Sequence, residues 1–229
     1  MVANELRACR EAGVVPGLVH VVDDDASFLT AMKRSLERAG YEVAIYVSAQ
    51  HLLDRLPHES VPSCILLDVR IPGIDGLALQ KRLKELGSTL PIVFVSGHVD
   101  IPVTVRALKD GAEDFLTKPV TSDDLLTAIE RAFARRRAFR EQQTKLDVVR
   151  ALIAKLTPRE RQVFELIVAG KTNKQISSIL GAGERTIKAH RHGVMEKMQV
   201  RSLAELVSVA ERVGVLGGIH DSQQTASLS

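Results

Sequence analysis

The sequence predicts an α/β protein: a five-stranded, doubly wound parallel sheet, joined by a helical linker to a small all-α domain. Three observations carry that expectation. Short apolar runs alternate with helical patterns five times between residues 18 and 137. Runs such as Cys64-Ile65-Leu66-Leu67 are continuously apolar, as parallel strands covered on both faces require. Beyond residue 156 the strand pattern stops, and only helical periodicity with glycine stops remains.

Residues 1–17 hold Glu5, Arg7, Arg10 and Glu11 and no apolar core, so they read as an extension and not as a secretory signal. Strands are expected over 18–23, 42–46, 63–68, 91–96 and 113–117. Helices are expected near 26–39, 49–56, 75–86 and 101–110, and from 122 onward. The first of these helices starts at Asp25, read as its cap. Asp123 and Asp124 suit the first turn of the last, where the helix dipole is positive. That helix runs through Arg135-Arg136-Arg137 without Gly or Pro, so 138–156 reads as a largely helical linker. The arginine run reads as a solvated face or a contact to a DNA backbone or partner.

Thr157-Pro158-Arg159-Glu160 is a capping box with proline in its permitted first position. The helix it opens ends at Gly170. Further helices follow over about 173–180 and 184–198, and Ser202-Leu203-Ala204-Glu205 reads as a second capping box. The all-helical unit thus spans 157–213, and the Gly/Ser/Gln/Thr-rich residues 214–229 read as disordered.

No apolar run approaches the roughly 18 residues of a membrane helix. Cys9 and Cys64 are far apart and imply no disulfide framework, which favours the cytoplasm, with Cys64 a buried free thiol. Charge divides the chain. Residues 18–130 hold 11 Lys/Arg against 17 Asp/Glu, whereas 157–212 hold 10 against 6. A basic second half suits nucleic acid. Aromatic content of 3% and no Trp argue against a stacking platform for single strands, leaving duplex DNA.

Chemistry collects where the strands end. The first delivers Asp23 and Asp24, the third Asp68, the fourth Ser96, and Lys118 follows the fifth. Ligands in such folds bind outside the carboxyl ends of the strands. Three acids there suit a hard cation such as Mg²⁺. A hydroxyl and an ammonium suit the oxygens of a phosphoryl group. Asp phosphorylation is the leading reading.

Asp23-Asp24, the run Leu66-Leu67-Asp68-Val69-Arg70-Ile71-Pro72-Gly73-Ile74-Asp75-Gly76, Val95-Ser96-Gly97-His98-Val99-Asp100-Ile101-Pro102 and Phe115-Leu116-Thr117-Lys118-Pro119 together resemble a flavodoxin-like response-regulator receiver domain over residues 18–137. The wording around Gly97-His98 and Asp100-Ile101-Pro102 is similar to the FixJ group. The resemblance implies Asp68 as phospho-acceptor, and Asp23, Asp24, Asp68 and the Arg70 carbonyl as Mg²⁺ ligands. It also implies Ser96 and Phe115 as a switch pair and Lys118 as the phosphoryl-binding lysine. Ser96 departs from the frequent Thr and Val120 from a frequent Phe.

Residues 173–198 read as short helix, Gly181-Ala182-Gly183 turn and longer basic helix, with Ile187, Val194 and Met198 as the packing stripe. Leu156-Thr157-Pro158-Arg159-Glu160-Arg161, Gly170-Lys171-Thr172-Asn173-Lys174-Gln175-Ile176 and Glu184-Arg185-Thr186-Ile187-Lys188-Ala189-His190 resemble the LuxR-type helix-turn-helix domain. That resemblance implies Lys188, Ala189 and His192 toward bases. Thr172, Asn173, Arg185, Thr186, His190 and Arg191 go to phosphates. Gly183 departs from the usual Ser, and Ala182 from a larger apolar residue.

The sequence therefore reads as a two-domain response regulator and transcription factor, not an enzyme. Its expected partners are a cognate histidine kinase, duplex DNA, a second copy on phosphorylation, and RNA polymerase, with no membrane. Two alternatives are a DNA-binding regulator that works without phosphorylation and a metal-dependent phosphatase using Asp23 and Asp25. Ala26-Ser27 does not continue the phosphatase motif.

Overall fold

The structure, a computed structural model, describes residues 17–55, 62–97 and 100–214. The expected extension up to Pro16, residue 56, His98 and Val99 of the quoted motif, and the tail from 215 fall outside those residues; the helix expected over 49–56 stops at Leu53, where Asp54 is its C-cap. The chain divides into two compact units between Phe139 and Arg140.

In the first unit five parallel strands, β1 (Leu18–Val22), β2 (Glu42–Tyr46), β3 (Ser63–Leu67), β4 (Ile92–Ser96) and β5 (Asp114–Thr117), form one sheet in the order β2-β1-β3-β4-β5. Helices α1 (Ala26–Ala39), α2 (Ala49–Leu53), α3 (Gly76–Glu85), α4 (Ile101–Lys109) and α5 (Ser122–Ala154) alternate with them. Side chains leave a strand to opposite faces in turn. Val19, Val21, Cys64, Leu66, Val93 and Val95 therefore pack on α1 and α5 residues such as Leu36 and Ile129. Val22, Ile65, Leu67, Ile92 and Phe94 pack on the other face, against Leu52, Leu79, Leu83 and Ala107 of α2, α3 and α4. Each fully buried side chain of this kind contributes about 1.5–3 kcal/mol.

β1 and β3 each stop one residue short of the expected end, because Asp23 and Asp68 turn out of the ladder. Both keep a backbone bond into it: Asp23 N–H donates to Tyr46 O at 3.1 Å and Asp68 N–H to Val22 O at 3.0 Å. Asp25 caps α1 as expected, accepting from Ser27 N–H and Phe28 N–H. Asp75 caps α3 through Ala78 N–H at 2.7 Å.

The second unit consists of α6 (Pro158–Val168), α7 (Asn173–Leu180), α8 (Glu184–Lys197) and α9 (Leu203–Arg212), which with the end of α5 enclose Phe164, Ile176, Ile187, Val194, Met198 and Leu206. The Thr157–Glu160 capping box is complete. The box read at Ser202 is only half made. Ser202 accepts from Glu205 N–H, but the Glu205 carboxylate reaches one residue further back, to Arg201 N–H at 2.9 Å. Thr172 and Gln175 form a complete box that the sequence reading passed over.

The arginine run is divided: Arg135 and Arg137 are exposed, as a solvated face requires, whereas Arg136 is not. Arg136 is buried and donates to Thr89 O, and Arg135 pairs with Glu113 at 2.8 Å. An α5 that packs its apolar side on the sheet carries the Arg135 and Arg136 guanidiniums back onto the same unit. No helix among the described residues is long and apolar enough to cross a membrane.

Candidate functional site

The strand order places β1 and β3 side by side, with β4 and β5 next to them. The loops leaving their carboxyl ends therefore converge. Carboxylate oxygens of Asp23, Asp24 and Asp68 lie within 4.8 Å of one another. Asp23 and Asp68 are buried and Asp24 is exposed. That donor set fits a small divalent cation with water completing its shell, because hard cations favour clustered carboxylate oxygens.

Lys118 closes the cluster. Its Nζ donates to Asp23 Oδ2 at 2.5 Å and to Asp68 Oδ2 at 2.7 Å. The other oxygens are oriented by backbone: Asp25 N–H donates to Asp23 Oδ1 at 2.9 Å, and Arg70 N–H to Asp68 Oδ1 at 3.0 Å. Burial pushes the Asp23 carboxyl above the ordinary range, while Lys118 and Asp25 N–H pull against it. Burial pulls Lys118 down, but its bonds to Asp23 and Asp68 outweigh that and hold the ammonium above its usual value. Two acids share one cation, which leaves room in charge for a second.

Lys118 Nζ also lies 3.9 Å from the centre of the Phe28 ring. Sequence reasoning missed Phe28, since an aromatic in the first turn of a helix reads as core. Ser96 is buried at the end of β4, and its carbonyl accepts from Lys118 N–H at 2.8 Å. Phe115 is half-buried, its ring centroid 6.1 Å from that of Phe94. Asp23, Asp24, Asp68, Ser96 and Lys118 thus lie at the carboxyl end of the sheet, while Phe115 packs on Phe94 within the strands.

In the second unit α8 buries Ile187, Val194 and Met198, the stripe expected to pack. Its other face exposes Arg185, Thr186, Lys188, Ala189 and His192, with His190 and Arg191 half-buried. Lys188 and His192 are one turn apart, so they share a face. Thr172 is exposed and Asn173 half-buried. Glu160 ties α6 to α8: one oxygen accepts from Lys197 Nζ at 2.6 Å and from Thr157 N–H at 2.8 Å. The approach is close because α8 carries Gly193 there; a Cβ on it would lie 2.7 Å from Glu160 Oε1. A short helix, a turn and a basic, half-exposed helix form a surface able to enter a major groove.

Residues 19–130 match the response regulator receiver domain, and residues 154–210 match the bacterial regulatory proteins of the luxR family. Receiver domains generally bind Mg²⁺ at an acidic pocket and take their phosphoryl group from a histidine kinase; luxR-type domains bind DNA. The chain is 42% identical over 198 residues to Nodulation protein W of Bradyrhizobium diazoefficiens, covering 86% of this chain and 87% of that protein. It is 42% identical over 200 residues to the Transcriptional regulatory protein FixJ of the same organism, covering 87% of this chain and 97% of that one. The solved structure of Response Regulator StyR shares 43% identity at a TM-score of 0.71, over 85% of this chain and 98% of that chain. Both sites and both matches lead to one identification: the chain belongs to the FixJ-like response regulator transcription factors, in which a receiver domain is joined to a LuxR-type DNA-binding domain.

Proposed function

We propose that Asp68 is the phospho-acceptor and that its phosphorylation drives dimerisation and binding to duplex DNA. The observation that carries the reading is the convergence of Lys118 on Asp68 and Asp23 beside the exposed Asp24. An Asp68 oxygen attacks the phosphorus of a kinase phosphohistidine in line. The new P–O bond forms as the P–N bond breaks, and the imidazole keeps the electron pair. Lys118 pairs with one phosphoryl oxygen and the Ser96 hydroxyl donates to another. Asp23, Asp24, Asp68 and the Arg70 carbonyl hold Mg²⁺, which when bound supplies charge neutralisation at the transferring group.

Ser96 moving toward the dianion vacates space for Phe115, which alters the face formed by α4 and α5. On that face Ile101, Val105 and Leu108 are 74%, 43% and 44% exposed at helical spacing. Such an apolar stripe on a charged surface fits a second copy of the chain. A dimer would present two recognition helices to half-sites about 34 Å apart. Lys188, Ala189 and His192 face bases, and Thr172, Asn173, Arg185, Thr186, His190 and Arg191 face phosphates. The functional units are residues 18–137 as receiver, 138–156 as linker and 157–213 as DNA-binding domain, in a cytoplasmic, non-enzymatic regulator that contacts RNA polymerase.

Intact mass with a small phosphodonor, with and without Mg²⁺, tests this together with a sizing column. A Mg²⁺-dependent adduct of ~80 Da, absent from Asp68→Asn and accompanied by dimer, is expected. A folded monomer with no adduct would leave the alternative of phosphorylation-independent regulation.

A further inference from the structure

We propose that Phe28 is a positioning residue whose ring face holds the Lys118 ammonium across Asp23 and Asp68, and so sets how readily Mg²⁺ enters. The inference rests on the reading of Asp23, Asp24 and Asp68 as the metal site, and names a residue which that reading does not include. An ammonium has three hydrogens. Two go to Asp23 and Asp68, and the Nζ lies 3.9 Å from the centre of the Phe28 ring. The Lys118 side chain is only 21% exposed, so little water competes for it. A cation within about 6 Å of a ring centre is attracted to the negative face of the ring, most strongly when desolvated.

Phe28 is held where it is by its neighbours. It lies in the first turn of α1, its N–H capped by Asp25, and it packs against the cluster containing Leu29, Val21 and Leu125. The ring is therefore a fixed wall on one side of Lys118. Lys118 and a divalent cation compete for the same Asp23 and Asp68 carboxylates. Whatever strengthens the hold on the ammonium in its metal-free place weakens the metal in proportion, because a contact shifts an equilibrium only by its difference between the two states. Phe28 thus raises the Mg²⁺ concentration at which the site fills.

Two measurements on the full chain test this. In metal-free protein with labelled lysine, the Lys118 methylene signals, assigned by their loss in Lys118→Arg, are expected upfield. The ring shields them, and Phe28→Leu returns them to the ordinary position. In calorimetric Mg²⁺ titrations, site-specific replacement of Phe28 by mono-, di- and trifluorophenylalanine keeps size and shape while draining the ring face of charge. The dissociation constant is expected to fall stepwise, by roughly two- to fivefold at the trifluoro ring.

A flat fluorinated series overturns the proposal, as does an unshifted Lys118 signal. If Mg²⁺ binding is saturable and lost in Asp24→Asn, a flat series removes only Phe28 from the account. If wild-type protein binds no Mg²⁺, the metal-site reading and this inference fall together.

Discussion

Gly76 lies so close under Asp68 that a Cβ built on it would overlap the Asp68 carbonyl oxygen, with the Phe94 ring 3.0 Å away. The first residue of α3 is thus the floor of the candidate acceptor, and only a residue without a side chain lets the helix approach. Gly76→Ala must push helix and strand end apart. A loss of about 1–3 kcal/mol in unfolding free energy is expected, with a lower yield of phosphorylated protein. Denaturant melts and adduct mass measure the two effects, and wild-type values in both would show that the floor yields freely.

His20 makes the first unit acid-sensitive. It is buried in β1 with Nδ1 3.0 Å from the Tyr46 hydroxyl, and its enclosed Nε2 has no partner. Burial pulls its pKa from 6.5 to about 4. Between those values the unfolded chain takes up a proton that the folded one refuses. Stability therefore falls as pH drops through 6.5 toward about 4 and levels off below, a loss on the order of 3 kcal/mol. His20→Phe should remove that part of the slope. Identical wild-type and variant slopes from pH 7 to 4 would refute it.

Glu160 acts at lower pH in the second unit. Its hydrogen bond from Lys197, then the one from Thr157 N–H, lower its carboxyl from 4.5 to about 2. The stabilisation is fully present above 4.5 and fades as pH falls toward 2. Glu160→Gln is expected to cost about 1 kcal/mol at neutral pH and to flatten that acid slope. Hydrogen exchange of the 158–168 amides in the full chain follows it. A slope left intact would assign the acid sensitivity elsewhere.

Gly183 offers a gain. It caps α8 with extended backbone and no side-chain bond, and a Cβ there would meet nothing within 4 Å. Gly183→Ser adds a hydroxyl for the free amides of the first turn and should stabilise by a few tenths of a kcal/mol. Thermal melts would show it as a small rise; a fall would mean that the serine finds no donor.

Sheet, helix order and strand-end cluster were readable because each rests on local pattern: continuous apolar runs, caps, and acids where runs stop. The Ile187, Val194 and Met198 stripe was readable for the same reason. Phe28 beside Lys118, Gly193 beside Glu160 and Arg136 folded onto Thr89 were not. Each joins residues distant in sequence, and nothing in either partner's neighbourhood marks the meeting. Ser202 shows the converse: a correct local motif whose second half was redirected by one residue.

Cys64 has a practical consequence for whoever wishes to watch the chain move. It is fully enclosed between the sheet and α1, and burial pushes its thiol far above the usual range. Maleimides and nitroxide reagents need an accessible thiolate, so they will pass it by. Replacing Cys9 alone leaves a background blind to such probes. One new cysteine at exposed Val105 or His192 then carries a dye or spin label that reports on one face at a time.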